Sequence, residues 1–376
     1  SSKATAKSAL RLLRKLPDSM QVFLTSATGF LGEYLLRDLL ERGHEVWCLY
    51  RHPAKRLDTV RFLSGFDLPR QAEKLHWLQG DLLSLTDCWP LWLQEHPGLA
   101  EVDQLLHCAA AMQLHLAADG EPLRTNVGSA SVLLRLIERQ PMQVHLVSTA
   151  YVCGRIESTR VPENFHQRGN FVNSYEESKW QAEQLWAGRA TLLRPSIIVG
   201  DSVTGRCTSF FGWYIFMQAV QLLGRLIQDG DATGQPVDLQ LSLPVSATDT
   251  MNIVPVDFVS QSIVRLLENP ANHRRVFHIT HPHPPTYDQV RQYVSSRFGL
   301  RGVSFAGAGA QPMQPRNELE RLACCQMESV LDYFGNNPLF ERSNLEQALP
   351  GLSPPEITAE LMDLWLGYAM DNDWGQ

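Results

Sequence analysis

The stretch QVFLTSATGFLG, running from Gln21 to Gly32, decides the fold. QVFLT is apolar and β-prone and predicts a strand; the turn TSATGFLG then opens a helix over 32–42, whose Leu35, Leu36, Leu39 and Leu40 form one inward stripe. Glycine at such a junction lets the backbone approach a pyrophosphate lying against the positive end of the helix. Thr25, Ser26, Ala27, Thr28, Gly29, Phe30, Leu31 and Gly32 are therefore candidates for a dinucleotide cradle, although glycines there can also serve tight packing alone. Ser26 stands where a third glycine is expected, so a side chain enters a turn that ordinarily has none.

Working outward, short apolar runs keep alternating with helix-period segments. The strands expected are QVFLT, EVWCLY, LHWLQ, QLLHCA, QVHLVS and ATLLRP, with a further helix over 125–140. That alternation predicts an α/β fold, a doubly wound parallel sheet of the Rossmann type. After Pro195 it breaks: a Gly-, Gln- and aromatic-rich region runs to about residue 247, followed by a return strand MNIVPV, the helix FVSQSIVRLLE and another strand RVFHIT. The remainder, with Pro-rich hinges at HPHPP and GAGAQPMQP and then LERLACCQMESVLDYF and ITAELMDLWLGYAM, predicts a smaller helical subdomain. The expected division is an N-terminal helix or linker over 1–19, a nucleotide domain over 20–200 with return segments at about 251–280, and a discontinuous substrate-binding subdomain over 201–250 and 281–376.

The bulk numbers narrow the function classes. A chain of 376 residues, 44% hydrophobic, can bury one large core with an appended domain. A net charge of −7 and a pI near 5.9 argue against a general nucleic-acid binder, whose footprint is basic. Seven scattered cysteines without ligand spacing suggest reduced, structural thiols and a cytoplasmic protein. The apolar stretch from Phe210 is too short and too often interrupted to span a membrane, and residues 1–17 lack the charged head and apolar block of a secretory signal. His278, His281 and His283 in HITHPHPP have no carboxylate or cysteine to complete a ligand set, and no metal is expected. Phe210, Phe211, Trp213, Tyr214 and Phe216 suit a core; an acyl or pantetheine channel is the other reading.

Two further constellations carry chemistry. The strand ending in LYR places Arg51, with Lys55, Arg56 and Arg61 nearby, where an NAD site would carry an acidic residue for the ribose 2′-hydroxyl. A guanidinium there suits a 2′-phosphate, so NADPH is the expected cofactor. Asp81 and Leu82 after the third strand, and Ala109, Ala110 and Ala111 after the fourth, sit at the sheet edge where adenine and phosphate would lie. In FVNSYEESKWQAEQLW, Tyr175 and Lys179 are four apart and share a helical face, so the ammonium is expected to favour the ionised phenol. Thr149 closes the apolar run before them.

Together these pieces resemble the extended short-chain dehydrogenase/reductases, and within them the thioester reductase domains of nonribosomal peptide synthetases and carboxylic acid reductases, with their fatty acyl-CoA reductase relatives. The matching segments are VFLTSATGFLG, CLYR, QGDL, HCAA, Asn126-Val127, VSTAYVCGR, YEESKWQAE, LLRPSIIVGDS and NIVPVDFV, spread over about residues 20–260. The resemblance implies a catalytic triad of Thr149, Tyr175 and Lys179, with Asn126 in support and Pro195 and Ile198 among the cofactor contacts. It implies hydride transfer from NADPH to a thioester on a phosphopantetheinyl carrier protein or on CoA, giving an aldehyde or an alcohol. A nucleotide-sugar epimerase would share the fold but carry an acid in place of Arg51. A non-catalytic NADP-sensing regulator would be expected to lack Tyr175 and Lys179.

Overall fold

A computed structural model of the chain describes residues 19–68, 72–156, 160–230, 242–307 and 336–375, with single residues between 308 and 335, Tyr333 and Phe334 among them. The expected helix at the N-terminus and most of LERLACCQMESVLDYF lie outside the described residues.

Seven strands form one parallel sheet: β1 (Gln21–Thr25), β2 (Glu45–Tyr50), β3 (Leu75–Gln79), β4 (Gln104–His107), β5 (Gln143–Val147), β6 (Ala190–Pro195) and β7 (Val276–Ile279). Their order is β7-β6-β5-β4-β1-β2-β3. The chain thus winds away from β1 in one direction as far as β3 and in the other as far as β7. The crevice where winding reverses opens between the carboxyl ends of β1 and β4, where ligands of such sheets bind. The strand RVFHIT is the outer strand β7 of this sheet. The strand within MNIVPV is Ile253–Pro255, which pairs instead with Ile197–Val199 in a separate two-stranded ladder.

Helices cover both faces. On one, α1 (Phe30–Glu41) packs its fully buried Leu35, Leu36 and Leu39 with Val259 and Ile263 of the later helix Val256–Leu267. Each such leucine contributes about 1.5–3 kcal/mol by leaving water. On the same face α2 (Pro53–Ser64), which links β2 to β3, adds Leu63 and Phe62 to that core; on the other, α3 (Leu85–Glu95), α4 (Leu123–Arg139) and α5 (Ser174–Leu185) enclose Phe23, Trp89, Leu133 and Trp186. A third apolar cluster joins α6 (Trp213–Gly230), α7 (Tyr287–Phe298) and α8 (Ala359–Asp371). Trp213, Tyr214 and Phe216 are core there, whereas Phe211 is exposed. None of the described helices is long and apolar enough to cross a membrane.

Element ends differ from the sequence expectation for local reasons. The first helix starts at Phe30, because Gly29 takes an extended N-cap conformation and Phe30 to Gly32 already form the first turn. The fourth strand stops at His107: the N–H groups of Cys108 and Ala109 leave the ladder and donate to the Thr25 hydroxyl at 3.0 and 3.1 Å. Part of the Gly- and Gln-rich region is the long helix α6, amphipathic enough to be set by the third cluster.

Candidate active site

The cradle is built by close backbone approach. Ser26 takes φ +60°, the left-handed conformation a glycine would adopt without strain, and its carbonyl accepts from Gly29 N at 2.9 Å. A Cβ added at Gly32 would lie 1.9 Å from that same carbonyl oxygen, so only glycine fits. No side chain among the described residues caps α1, which leaves its leading N–H groups to an anion.

Thr25 is fully buried and serves the cradle indirectly. Its hydroxyl accepts from Cys108 and Ala109 and lies 2.9 Å from His107 Nδ1. With both acceptor positions used, the hydroxyl donates to Nδ1, which puts the imidazole proton on Nε2, 3.2 Å from Ser129 Oγ. Burial pushes His107 down to about 3, in keeping with a neutral ring. Neither His107 nor Ser129 stood out in the sequence, where a buried histidine reads like any core residue.

The β2 and β3 ends bring Arg51 and Asp81 together: guanidinium and carboxylate are 3.7 Å apart and about half exposed. Asp81 Oδ1 also accepts from Leu83 N at 2.8 Å, and Leu82 is buried. Arg61 is not brought to this corner. It lies in the last turn of α2, exposed and paired with Asp58 at 3.1 Å. Arg56 from the start of α2 stands closer, its guanidinium 5.5 Å from the Tyr50 ring and 5.4 Å from the Trp77 ring, with a buried Nε that has no partner among the described residues.

Asn126, on α4, ties the Ala109–Ala111 loop to α5. Its Oδ1 accepts from Ala111 N at 2.8 Å, and its Nδ2 donates to Ala111 O at 3.1 Å and to Ser178 Oγ at 2.8 Å. Ser178 in turn donates to the Tyr175 carbonyl at 2.7 Å. The backbone of the tyrosine turn is thereby fixed to the end of β4. Pro195 closes β6, and Ile198 lies in the short strand beyond it, packed on the α1 core.

Thr149 follows β5 and starts a short turn, its Oγ1 accepting from Tyr151 N at 3.3 Å. The Tyr175 phenol makes no hydrogen bond among the described residues and is partly exposed. Lys179 is buried and donates to Val147 O at 2.7 Å. The expectation that the ammonium draws the phenol toward ionisation fails here. Burial, then Cys108 and Glu176, push Tyr175 above its ordinary range. The phenol thus holds its proton, as a proton donor must. Lys179 is moved down to about 8 by burial, against the attraction of Cys108 and Glu183. Cys108 itself is pushed up to about 12 by burial, with Lys179 opposing.

None of these residues lines the groove of about 750 Å³ formed by Tyr34, Phe62, Arg206, Gln261 and Tyr368 with their neighbours. Glu176, Asn173 and Tyr333, which crowd the N-terminus of α5, were not singled out by sequence. An acid in the first helical turn reads as an ordinary capping residue.

A parallel sheet with this glycine turn, an arginine after β2 and a Thr, Tyr and Lys set beyond β5 defines an extended short-chain dehydrogenase/reductase that takes a nicotinamide cofactor. The chain belongs to the male sterility protein family of NAD-binding domains, whose model matches residues 24–263. The chain is 28% identical over 298 residues to the nonribosomal peptide synthetase asaC of Aspergillus flavus, covering 72% of this chain and 27% of that protein. It is 30% identical over 294 residues to the glycine betaine reductase ATRR of Emericella nidulans, covering 72% of this chain and 21% of that protein. The chain thus spans about a quarter of the length of these curated relatives. The crystal structure of the terminal R domain of the myxalamid PKS-NRPS pathway superposes with a TM-score of 0.72 at 21% identity, covering 98% of each chain, which shows the shared fold. Yeast methylglyoxal/isovaleraldehyde reductase Gre2, complexed with NADPH, gives 0.63 at 15% identity, covering 95% of this chain and 100% of that one.

Proposed function

We propose that the chain is an NADPH-dependent reductase that releases an acyl or peptidyl thioester from the phosphopantetheine arm of a carrier protein as an aldehyde, which a second round takes to the alcohol. What supports this reading is that Thr149 lies just beyond the carboxyl end of β5, that Lys179, one helical turn after Tyr175, donates to Val147 O at that same strand end, and that the phenol makes no hydrogen bond among the described residues and keeps its proton. The chain fits the cofactor: Gly32 admits no side chain, and the α1 N-terminus carries no side-chain cap among the described residues. Arg51, with Arg56 beside it, would hold a 2′-phosphate, and Asp81 would border the adenosine; these carry the preference for NADPH over NADH.

When bound, the reduced nicotinamide supplies the hydride. The chain's own groups do the rest. Thr149 Oγ1, which already accepts from Tyr151 N, keeps its proton to donate to the thioester oxygen. Tyr175 donates a second hydrogen bond and then its proton as negative charge develops there. Lys179, held by Val147 O, keeps two N–H bonds for the cofactor ribose and for steadying the phenolate. The hemithioacetal expels its thiol and leaves the aldehyde. Residues 20–200 and about 251–280 serve the cofactor, 201–250 and 281–376 the acyl group, and the cytoplasm is the assigned compartment.

The test offers the purified chain NADPH and one acyl group, loaded either on CoA or on a carrier protein. Aldehyde from the carrier-bound thioester supports the proposal. Activity on CoA alone refutes the carrier reading, and no activity on either refutes thioester reduction.

A further inference from the structure

Glu176 is fully buried one residue beyond Tyr175. As the third residue of α5 it behaves in part as a capping group: Oε2 accepts from Val172 N at 2.9 Å, while its own N–H donates to Asn173 Oδ1 at 3.0 Å. Capping accounts for one carboxyl oxygen only. Oε1 is buried and makes no hydrogen bond among the described residues, a state that disfavours an ionised carboxylate. The hydroxyl of Tyr333 faces this carboxyl. Tyr333 accepts from Asn173 Nδ2 at 2.7 Å, so its own proton is left to move. Its ring packs 5.7 Å from that of Tyr151, two residues beyond Thr149, and its hydroxyl also feels the charge of Tyr175.

We propose that Glu176 is the proton reservoir for Tyr175, recharging the phenol through the hydroxyl of Tyr333. The inference rests on the reductase reading. Each carbonyl reduced takes up one hydride and one proton: the Tyr175 O–H bond breaks as a bond forms to the substrate oxygen. The phenolate then takes the Tyr333 proton, Tyr333 takes the carboxyl proton of Glu176, and water returns a proton to Glu176. The environment supports this: burial moves Glu176 up to about 7, against the Val172 N–H, the Tyr333 hydroxyl and Arg155. The other titratable groups facing it are Tyr151 and Cys153 from the turn after Thr149 and Tyr175 on its own helix. A carboxyl of this kind is still largely protonated just below neutral pH, and its supply of protons fades as pH rises through about 7. Both residues are positioning residues, since neither touches the reacting atoms.

The test compares kcat against pH for the wild type, Glu176→Gln and Tyr333→Phe. Gln retains an acceptor for Val172 N, and Tyr333→Phe leaves that cap untouched. In the wild type, kcat should fall as pH rises through about 7. Both variants should lose this titration and about tenfold or more of kcat at acid pH, with the KM values for NADPH and thioester held within about twofold. A purely structural role would instead move stability and KM together. Infrared difference spectra of the wild type without thioester should show a protonated carboxyl band that titrates near neutral pH and is absent from Glu176→Gln. Lack of that band, or variants that keep the wild-type pH profile and kcat, overturns the proposal. A wild type that shows the band but reduces no thioester instead overturns the reductase reading, and the role given to Glu176 falls with it.

Discussion

Replacing Gly32 by alanine sets two physical effects against each other. Within a helix, alanine is ordinarily favoured over glycine by about 0.5–1 kcal/mol, so propensity alone says the variant is more stable. Geometry says the reverse: the new Cβ would lie 1.9 Å from Ser26 O and 2.8 Å from the Ser26 carbonyl carbon, backbone atoms that cannot swing aside. Real Cβ atoms essentially never approach closer than 3.0 Å, so the turn or the first turn of α1 must shift by about 1 Å. Overpacking of this kind costs about 1–3 kcal/mol, which outweighs the propensity gain. The displaced atoms are those that would hold the pyrophosphate, so most of the cost should appear in binding, as NADPH affinity weaker by about 10–100-fold. Fluorescence titration of NADPH measures this directly. Gly367→Ala in α8 is the control: nothing lies within 4 Å of its Cβ, so it should stabilise the chain and leave affinity alone. If Gly32→Ala binds NADPH as tightly as the wild type, the turn at Gly32 does not hold the cofactor.

Other perturbations test neighbouring parts of the site. Asn126→Ala leaves Ala111 without its paired bonds and Ser178 without its donor; kcat should fall about tenfold or more while the melting temperature drops by only a few degrees. An unchanged kcat would show that the tether does not steer Tyr175. Arg51→Asp should raise the KM for NADPH by about 10–100-fold and improve use of NADH, as steady-state kinetics with both cofactors will show. Lys179, moved from 10.5 to about 8, binds fewer protons folded than unfolded between those values. Relative to Lys179→Met, the wild type should therefore gain stability as pH rises from about 8 to about 10.5, by about 3 kcal/mol at most, in denaturant melts across that window.

Much of the architecture could be read from the chain because parallel strands buried on both faces announce themselves as apolar runs. The turn at Gly29 and Gly32 and the four-residue spacing of Tyr175 and Lys179 are likewise local patterns. What escaped reading depends on contacts between distant residues. Nothing in the sequence around Thr25 tells that its hydroxyl gathers the N–H groups of Cys108 and Ala109 and ends β4 there. Arg61 looked as suitable as Arg56, yet helix geometry carries it to the far end of α2, where Asp58 takes it up. The sign of the Tyr175 shift is invisible to helical spacing, which reports adjacency but not burial, and desolvation dominates at this phenol. Glu176 and Tyr333 meet across 157 positions of chain, as the 160-residue separation of the nearby Asn173 to Tyr333 bond illustrates.

The most direct test of the central claim follows the hydride itself. The wild type and Tyr175→Phe are each given NADPH carrying deuterium at the transferable position, with an acyl thioester on a carrier protein, and the products are analysed by mass spectrometry. The expected products from the wild type are an aldehyde with one deuterium on its carbonyl carbon and, after the second round, an alcohol with two on that carbon, with release from the variant at least about a hundredfold slower. An unlabelled product, or a variant that works at the wild-type rate, would contradict it.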